Sequence, residues 1–345
     1  MTISENTHIA IIQTAFIGDV VLSLPIAQSI KNTNPNCKIT FITNSQSVKL
    51  VETSKAVDSV IEFDKRNKHK KIKDLLLFVS ELNKQKFDIV ISLHRSFRTS
   101  FLVSRLKNCK KIGFKNSSIN FIYDYRAKYI KNYHEIERNY ELLNFFDKIR
   151  KIDLFKVQTQ FLQKDIEQVN SLLKENNINK EKIIIIAPGS VWATKRWTKE
   201  YYPELINNLT NLDYSVLLIG SEKDFELCKY ISRNTKAINL SSKTSIPQSL
   251  YLIKISKLII TNDSSPTHFS GLFNIPTITI FGPTSPIFGF SPRSQKSIII
   301  RDENLKCSPC RIHGSDICPL GTHNCMKNIS PQTVFDNSIK LLNLS

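Results

Sequence analysis

The chain has 345 residues, of which 41% are hydrophobic and 23% are charged. This length suggests two domains with buried cores, and the composition excludes a disordered chain, a fibrous chain and a small disulfide scaffold. Lys and Arg number 48 against 30 Asp and Glu, so the formal charge of +18 favours anionic partners: nucleic acid, an acidic membrane or a phosphorylated substrate.

The spacing of the glycines excludes the commonest nucleotide-binding motifs. The nine glycines form neither G-x-G-x-x-G nor G-x-x-x-x-G-K. We therefore disfavour a usual dinucleotide-binding dehydrogenase and a P-loop NTPase, and any bound phosphate must be held by other donors.

The sequence contains no membrane-spanning stretch, since no run approaches the roughly 18 apolar residues that a spanning helix needs. Residues 1–7 are polar and lack the basic start and apolar core of a secretion signal. We expect a cytoplasmic protein whose seven cysteines are reduced.

Short apolar runs alternate with amphipathic stretches along the chain, a pattern typical of β-α-β units in parallel sheets. The first half predicts strands at 9–14, 38–43, 59–63, 88–93 and 110–114, and helices at 20–32 and 72–84. The second half predicts strands at 183–188, 215–220, 237–240, 257–261 and 277–281. The fold class is therefore α/β with two similar parallel sheets.

A predicted helix at 133–146 and a polar segment at 148–159 separate the two halves, which places the domain boundary near residue 155. The closing segment 331–345 contains residues with helical spacing at 331–342, and we expect this helix to pack back onto the first domain.

Three strand-to-helix junctions carry unusual residues, and such junctions expose helix amides that bind anions. In the first, T-A-F-I-G-D-V-V-L-S-L-P at 14–25, Gly18 relieves the turn and Asp19 stands at the opening of a helix. Asp19 is either an N-cap or a functional carboxylate.

The second junction is P-G-S-V-W-A-T-K-R-W-T at 188–198. Ser190, Thr194, Lys195 and Arg196 could together neutralise a diphosphate. The alternative is a solvated basic turn anchored by Trp197.

The third junction is T-N-D-S-S-P-T-H at 261–268. Asn262, Ser264 and Ser265 could cap the following helix or donate to a phosphate. The combination of Asp263 and His268 at one helix start favours binding over a purely structural capping box.

These motifs, with L-L-I-G-S-E-K-D at 217–224, resemble in order and spacing the ADP-heptose:lipopolysaccharide heptosyltransferases of glycosyltransferase family 9. The resemblance extends to I-F-G-P-T-S-P at 280–286 and to the cysteine-rich end. It implies the GT-B architecture, two Rossmann-like domains facing a cleft, with the acceptor bound mainly by residues 1–155 and the nucleotide-sugar by residues 156–330.

The resemblance also implies the chemistry. Asp19 matches the catalytic carboxylate, the general base that takes a proton from the acceptor hydroxyl while that oxygen attacks the anomeric carbon and ADP departs with inversion. One carboxylate suffices once the charge of the leaving diphosphate is held. No Asp-x-Asp motif is present, and we expect no metal cofactor.

Several residues are suited to the donor site in this resemblance. Asp224 matches the position that binds the nucleotide ribose, with Glu222 as a nearby competitor. Asp263 and His268 match donor-site positions. The groups suited to hold the diphosphate are Ser190, Thr194, Lys195 and the amides around Ser264 and Ser265. Ser265 departs from the glycine of many relatives, and its side chain would crowd a close phosphate approach.

The segment L-H-R-S-F-R-T at 93–99 contains the candidate acceptor-binding residues. His94, Arg95 and Arg98 suit the carboxylates and phosphates of an inner-core lipopolysaccharide, or they are exposed bases at a helix start. The run 65–73 holds six Lys or Arg in nine positions. It could contact anionic lipid, at about 1 kcal/mol per residue, or be a solvated loop.

Four cysteines crowd the C-terminal region, with His313 and His323 among them. Their spacing allows zinc coordination but is not the paired C-x-x-C of a zinc ribbon, so we expect no metal there. They are Cys307, Cys310, Cys318 and Cys325.

Together these features predict an inverting transferase that moves heptose from ADP-heptose to the lipopolysaccharide inner core, with the second heptose as the preferred step. We expect it to lie on the anionic inner face of the inner membrane. The alternative is a non-catalytic nucleic-acid-binding protein, which the charge favours. Base stacking would require aromatic residues within the run 65–73, which has none.

Overall fold

The strands form two six-stranded sheets, and every pair of neighbouring strands is parallel. The computed structural model describes residues 3–343. The chain divides into a first unit that ends at Gln160 and a second that begins at Phe161. This arrangement agrees with the predicted α/β class and its two sheets.

The strands of the first unit are β1 (His8–Gln13), β2 (Lys38–Thr43), β3 (Ser59–Glu62), β4 (Ile89–Ser92), β5 (Lys110–Phe114) and β6 (Tyr125–Ala127). Those of the second unit are β7 (Ile183–Ala187), β8 (Ser215–Leu218), β9 (Ile238–Asn239), β10 (Leu258–Asn262), β11 (Thr277–Ile280) and β12 (Ser297–Ile300).

The helices of the first unit are α1 (Ile17–Val21), α2 (Leu24–Thr33), α3 (Val48–Val51), α4 (Ile72–Lys84), α5 (Phe97–Ser104) and α6 (Glu135–Tyr140). Those of the second unit are α7 (Gln163–Glu175), α8 (Tyr202–Asn211), α9 (Phe225–Ser232), α10 (Ile246–Lys254), α11 (Ser265–Phe273), α12 (Asn324–Lys327) and α13 (Pro331–Asn343). Within residues 3–343, no helix has the length and apolarity needed to cross a bilayer.

The two sheets have equivalent strand orders, β3-β2-β1-β4-β5-β6 and β9-β8-β7-β10-β11-β12. Each order reverses direction beside its first strand, between β1 and β4 and between β7 and β10. Ligands of such doubly wound sheets bind outside the carboxyl ends of the strands at this switch point. The segments that follow β1, β4, β7 and β10 are therefore the places to look for a site.

The central strands are almost entirely apolar, as expected for strands covered by helices on both faces. All five residues of β7, I-I-I-I-A, are buried, and Ile184 pairs with Val216 of β8 and Leu258 of β10. This is why the sequence identified these strands well. The missed strands β6 and β12 lie at sheet edges, where a strand has a partner on one side only.

The helix predicted at 20–32 is in fact two helices, α1 and α2. Pro25 lies in the first turn of α2 and has no amide to continue a helix through that point. The Ser23 hydroxyl donates to the Val20 carbonyl at 2.6 Å and closes the end of α1. The break leaves Asp19 on a short helix directly after β1.

The first unit extends five residues past the expected boundary near residue 155. The Lys55 amide donates to the Gln158 carbonyl at 2.9 Å, and the Gln160 amide donates to the Thr53 carbonyl at 2.7 Å. Leu154 is buried as well. Backbone pairing thus ties this polar segment to the first unit.

The C-terminal helix α13 packs within the second unit, and its expected contact with the first domain stays a prediction. Its buried residues Val334, Leu341 and Leu342 join the core of the second unit with Leu205 and Leu209 of α8. The apolar stripe of α13 is therefore covered by the unit that precedes it in the chain.

Candidate active site

Asp19 lies in the first turn of α1, immediately beyond the carboxyl end of β1. The N-cap of α1 is Phe16, and the Phe16 side chain makes no capping hydrogen bond. Asp19 is thus inside the helix rather than at the capping position, and its side chain keeps partial access to solvent.

The environment of Asp19 raises the pKa of its carboxyl from 3.8 to about 7. Desolvation by the surrounding protein is the main cause, followed by the negative charge of Glu135. Hydrogen bonds from the backbone amides of Asp19 and Phe16 and the charge of Arg95 act in the opposite direction. A carboxylate with a pKa near 7 is a much better proton acceptor than an ordinary one.

His94 follows β4, the other strand of the first switch point. Its Nδ1 lies 2.8 Å from the hydroxyl oxygen of Thr14 and 2.8 Å from that of Thr99. Burial, and then the charges of Lys65 and Arg95, lower the pKa of His94 to about 4, so the ring is neutral at physiological pH.

The two arginines predicted beside His94 have different surroundings. The guanidinium carbon of Arg95 lies 3.7 Å from the centroid of the Tyr129 ring. Arg98 donates to the carbonyls of His69 and Lys70 and so holds the run 65–73 against α5. Arg95 is thus held on an aromatic ring, from where its charge lowers the pKa of Asp19, whereas Arg98 fixes a loop.

A pocket of about 350 Å³ opens at the first switch point, lined by residues 14–16, 44–46, 63–67 and 94. Asn44 Nδ2 donates to the Ala15 carbonyl and Lys65 Nζ to the Thr14 carbonyl, each at 2.6 Å. Asn44 was not expected at the site from the sequence, and Lys65 was expected only in a lipid-contacting or solvated run. Both follow strands β2 and β3, whose carboxyl ends lie at the same edge of the sheet.

In the second unit, the Asn262 side chain links the segments that follow β7 and β10 through hydrogen bonds. Its Nδ2 donates to the Pro188 carbonyl at 2.8 Å, and its Oδ1 accepts from the Trp197 amide at 3.0 Å. Arg196 donates to the Ser190 carbonyl through Nε at 3.0 Å. These bonds fix the loop that carries Ser190 and Lys195.

Lys195 forms an ion pair with Asp263, 2.7 Å between Nζ and Oδ2, and both side chains are mostly buried. The Thr284 hydroxyl donates to the same oxygen of Asp263 at 2.7 Å. Residues predicted from two separate motifs thus meet at the second switch point.

The start of α11 completes this group. Ser264 is the N-cap, but its side chain does not cap the helix, and Ser265 is the first helical residue. His268, in the first turn, is buried, and burial lowers the pKa of its ring to about 4. Its Nδ1 has no hydrogen-bond partner among the described residues. Pro266 has no amide and the Thr267 amide donates to the Ser264 carbonyl at 3.0 Å, so in this turn the Ser265 amide is the donor that a ligand could use.

Asp224 lies over the ends of β7 and β8 because two glycines leave room for it. A Cβ on Gly189 would stand 2.2 Å from Asp224 Oδ1, and a Cβ on Gly220 would stand 2.8 Å from Asp224 Cβ. The carboxylate accepts from the Ser221 amide at 2.9 Å and hydroxyl at 2.7 Å. Glu222, the competitor, is exposed. Neither glycine was singled out from the sequence, although each stands two residues after the end of a strand.

Thr194 has a contact that the sequence did not indicate. Its hydroxyl donates to the Ser315 carbonyl at 2.6 Å and accepts from the Ser315 amide at 2.9 Å. His323 Nε2 lies 2.7 Å from the Thr194 carbonyl oxygen. The hydroxyl proton of Thr194 is therefore committed to anchoring the cysteine-rich segment.

The four C-terminal cysteines line one small pocket next to Thr194 and His323. All four thiols are free. Residues 3–343 contain no group of three or more His, Cys, Asp or Glu side chains arranged to hold a metal ion.

Comparison with known proteins assigns the chain to a protein family. The sequence model of glycosyltransferase family 9 (heptosyltransferase) matches residues 76–318. The chain belongs to this family. It is therefore a glycosyltransferase, and the resemblance inferred from the motifs is confirmed.

This family 9 chain is 27% identical over 334 residues to the lipooligosaccharide heptosyltransferase 2 of Campylobacter jejuni, covering 95% of the chain and 96% of the relative. The glycosyl transferase family 9 structure from Veillonella parvula superposes with a TM-score of 0.88 at 21% identity, with 100% of both chains covered. The Escherichia coli ADP-heptose lps heptosyltransferase II superposes with a TM-score of 0.80 at 22% identity, covering 98% of this chain and 99% of that one. These likenesses confirm the predicted fold of the GT-B class.

Proposed function

We propose that this chain is an inverting heptosyltransferase that moves heptose from ADP-heptose to the inner core of lipopolysaccharide. The observation that carries the proposal is the placement of Asp19, a carboxyl with a pKa of about 7, at the switch point of the first sheet. The names of the relatives support the sugar and the acceptor class, and they favour the second heptose as the step.

Asp19 acts as the general base. Its carboxylate takes the proton of an acceptor hydroxyl while that oxygen forms a bond to the anomeric carbon of the heptose. The bond from that carbon to the diphosphate oxygen breaks, ADP leaves with the electron pair, and the configuration at the carbon inverts. Since Asp19 is partly exposed, the proton it has taken can pass to solvent.

The second unit holds the donor. Lys195, oriented by Asp263, supplies a positive charge to the diphosphate, and Ser190, Ser264 and Ser265 supply hydroxyls or amides. Asp224 accepts hydrogen bonds from the ribose hydroxyls, because Ser221 occupies only part of the accepting capacity of its carboxylate. With the leaving charge held in this way, the proposed chemistry uses no metal cofactor.

The first unit holds the acceptor. Two cations, Lys65 and Arg66, line its pocket against one carboxylate, Asp64. His94 at the wall is neutral, so the net positive charge suits an acceptor with anionic groups. Arg95 adds a further positive charge near Asp19. Carboxylates and phosphates of an inner-core saccharide have this chemistry.

We place the enzyme peripherally on the inner face of the inner membrane, where a lipid-linked acceptor resides. Five basic residues of the run 65–73 are exposed: Arg66, Lys68, Lys70, Lys71 and Lys73. The adjoining helix α4 exposes Ile72, Leu76 and Leu77. Exposed bases beside exposed aliphatic side chains suit a surface that carries anionic lipid headgroups.

The proposal is tested by incubating the purified chain with ADP-heptose and truncated lipopolysaccharide acceptors and following product mass. We expect an acceptor product heavier by one heptosyl unit, formed together with ADP. Absence of product with every heptose-accepting core, together with salt-sensitive binding to nucleic acid, would favour the rival function.

A further inference from the structure

A buried polar cluster on α6 lies outside the residues assigned to either substrate. Glu135 Oε2 accepts from the Tyr129 hydroxyl at 2.9 Å and from Arg138 Nη1 at 3.0 Å. The side chains of Glu135 and Arg138 are 6% and 4% exposed, so this ion pair is shielded from solvent. Arg138 Nε also donates to the Ile130 carbonyl at 3.1 Å. Removing the charges of Glu135 and Arg138 from water costs free energy, so this buried ion pair points to a role beyond stability.

The cluster faces the helix that carries Asp19. Asn139, fully buried on α6, donates from Nδ2 to the carbonyl of Leu22, the residue that ends α1, at 3.3 Å. Glu135 precedes Asn139 by four residues, so both lie on the same face of α6. Glu135 therefore lies on the face of α6 that contacts the end of α1, and its charge acts on Asp19.

Tyr129 links this carboxylate to a second charge. Its hydroxyl binds Glu135, and its ring supports the guanidinium of Arg95, 3.7 Å from the ring centroid. The charged side chains that act on Asp19 are Glu135 from α6 and Arg95 from the segment after β4. One phenol thus touches both of them.

We propose that Glu135 and Tyr129 are positioning residues for the reaction, which fix one negative charge on Glu135 and the guanidinium of Arg95 beside Asp19. The inference rests on the proposed role of Asp19 as the base. A negative charge nearby favours the protonated form of a carboxyl, so Glu135 helps Asp19 to keep the proton it takes from the acceptor. Arg95 limits this effect, so that Asp19 is still ionised when the reaction begins.

The test is the pH profile of kcat/KM, whose acid limb reports the ionisation of the base. Glu135→Gln keeps the size of the side chain and an oxygen for Tyr129 and Arg138 but removes the charge. We expect its acid limb to move to lower pH by roughly one unit. Glu135→Asp retains the charge and should leave the limb close to that of the wild type.

A matched control is Glu141→Gln, which removes the same charge from the turn that follows α6, where Glu141 lies 3.9 Å from Lys151 Nζ. We expect no shift of the limb in this variant. An unchanged limb in folded Glu135→Gln, or an equal shift in Glu141→Gln, overturns the inference.

A second variant covers the case in which Glu135→Gln does not fold. Arg95→Gln removes the positive charge, and its acid limb should move to higher pH, opposite to Glu135→Gln. Absence of that movement also overturns the inference.

The Asp19→Asn variant separates the inference from the proposed function. If this variant retains turnover, the proposed function itself fails. If it abolishes turnover while the acid limbs of Glu135→Gln and Arg95→Gln stay in place, only the inference fails.

Discussion

Lys195 and Asp263 meet across the switch point of the second sheet, with 2.7 Å between Nζ of the lysine and Oδ2 of the aspartate. They follow β7 and β10, strands that are adjacent in the sheet although about 70 residues separate them along the chain. Because Thr284 also binds Asp263, the lysine is held in place before any ligand arrives. A diphosphate at the start of α11 would meet an oriented cation.

Replacing this lysine should weaken donor binding. Lys195→Met keeps most of the side-chain length but leaves Asp263 as an unpaired negative charge beside the diphosphate. We expect ADP affinity to fall by about 2–4 kcal/mol. Titration calorimetry with ADP measures the change. Lys199→Met, at an exposed lysine in the same segment, is the control and should bind ADP as the wild type does; equal affinities in both variants would count against the assignment.

The raised pKa of Asp19 makes stability depend on pH. The folded state holds the proton with a pKa of about 7 against 3.8 for the ordinary carboxyl, so folding stability falls as pH rises between these values. Asp19→Asn cannot ionise and should therefore increase the free energy of unfolding at pH 8. The full shift corresponds to about 4 kcal/mol, and partial exposure of the side chain reduces the expected gain to on the order of 2 kcal/mol, with little gain at pH 4. Urea unfolding at both pH values tests this. An equal effect at both values would show that the carboxyl is not desolvated.

Gly189 should be intolerant of a side chain. A Cβ there would stand 2.2 Å from Asp224 Oδ1, so Gly189→Ala must displace the carboxylate proposed to bind ribose. We expect a loss of about 1–3 kcal/mol in stability, together with weaker ADP binding. In the double variant Gly189→Ala, Asp224→Ala the clash is gone, so stability should recover while ADP affinity stays low. Recovery of both properties would contradict a ribose-binding role for Asp224.

The exposed basic run should determine attachment to anionic lipid. Replacing Lys70, Lys71 and Lys73 by Gln removes three charges, each contributing about 1 kcal/mol near an acidic surface. Co-sedimentation with vesicles containing anionic phospholipid should therefore fall sharply, and wild-type binding should weaken with added salt. The control removes three exposed lysines of the second unit, Lys164, Lys174 and Lys236. Equal losses in the two triple variants would indicate a response to net charge alone.

The sequence was sufficient to locate the strand ends that build the site. Buried β-branched runs such as β7 are unambiguous, and residues placed after them, among them Asp19 and Lys195, follow the central strands of their sheets. The break between α1 and α2 was also signalled by Pro25, although the apolar spacing through residues 20–32 suggested one continuous helix.

The remaining features depend on contacts between residues far apart in the chain, which no local pattern reveals. The Thr194 hydroxyl was expected to contact the diphosphate, yet it donates a hydrogen bond to the carbonyl of Ser315, 121 residues away. The apolar spacing of α13 was visible, but it could not indicate which unit would cover the helix. Similarly, no local pattern distinguishes Glu135, and only the packing of α6 places its charge near Asp19.

The most direct test of the central claim compares wild type and Asp19→Asn in two measurements on the same preparations: ADP affinity by calorimetry, and heptose transfer from ADP-heptose to a truncated lipopolysaccharide acceptor by product mass. We predict nearly equal ADP affinities and a fall in turnover of about 10²–10⁴-fold, because the donor residues lie in the second unit and Asp19 supplies only the proton acceptor. Turnover by Asp19→Asn comparable to that of the wild type would contradict the account.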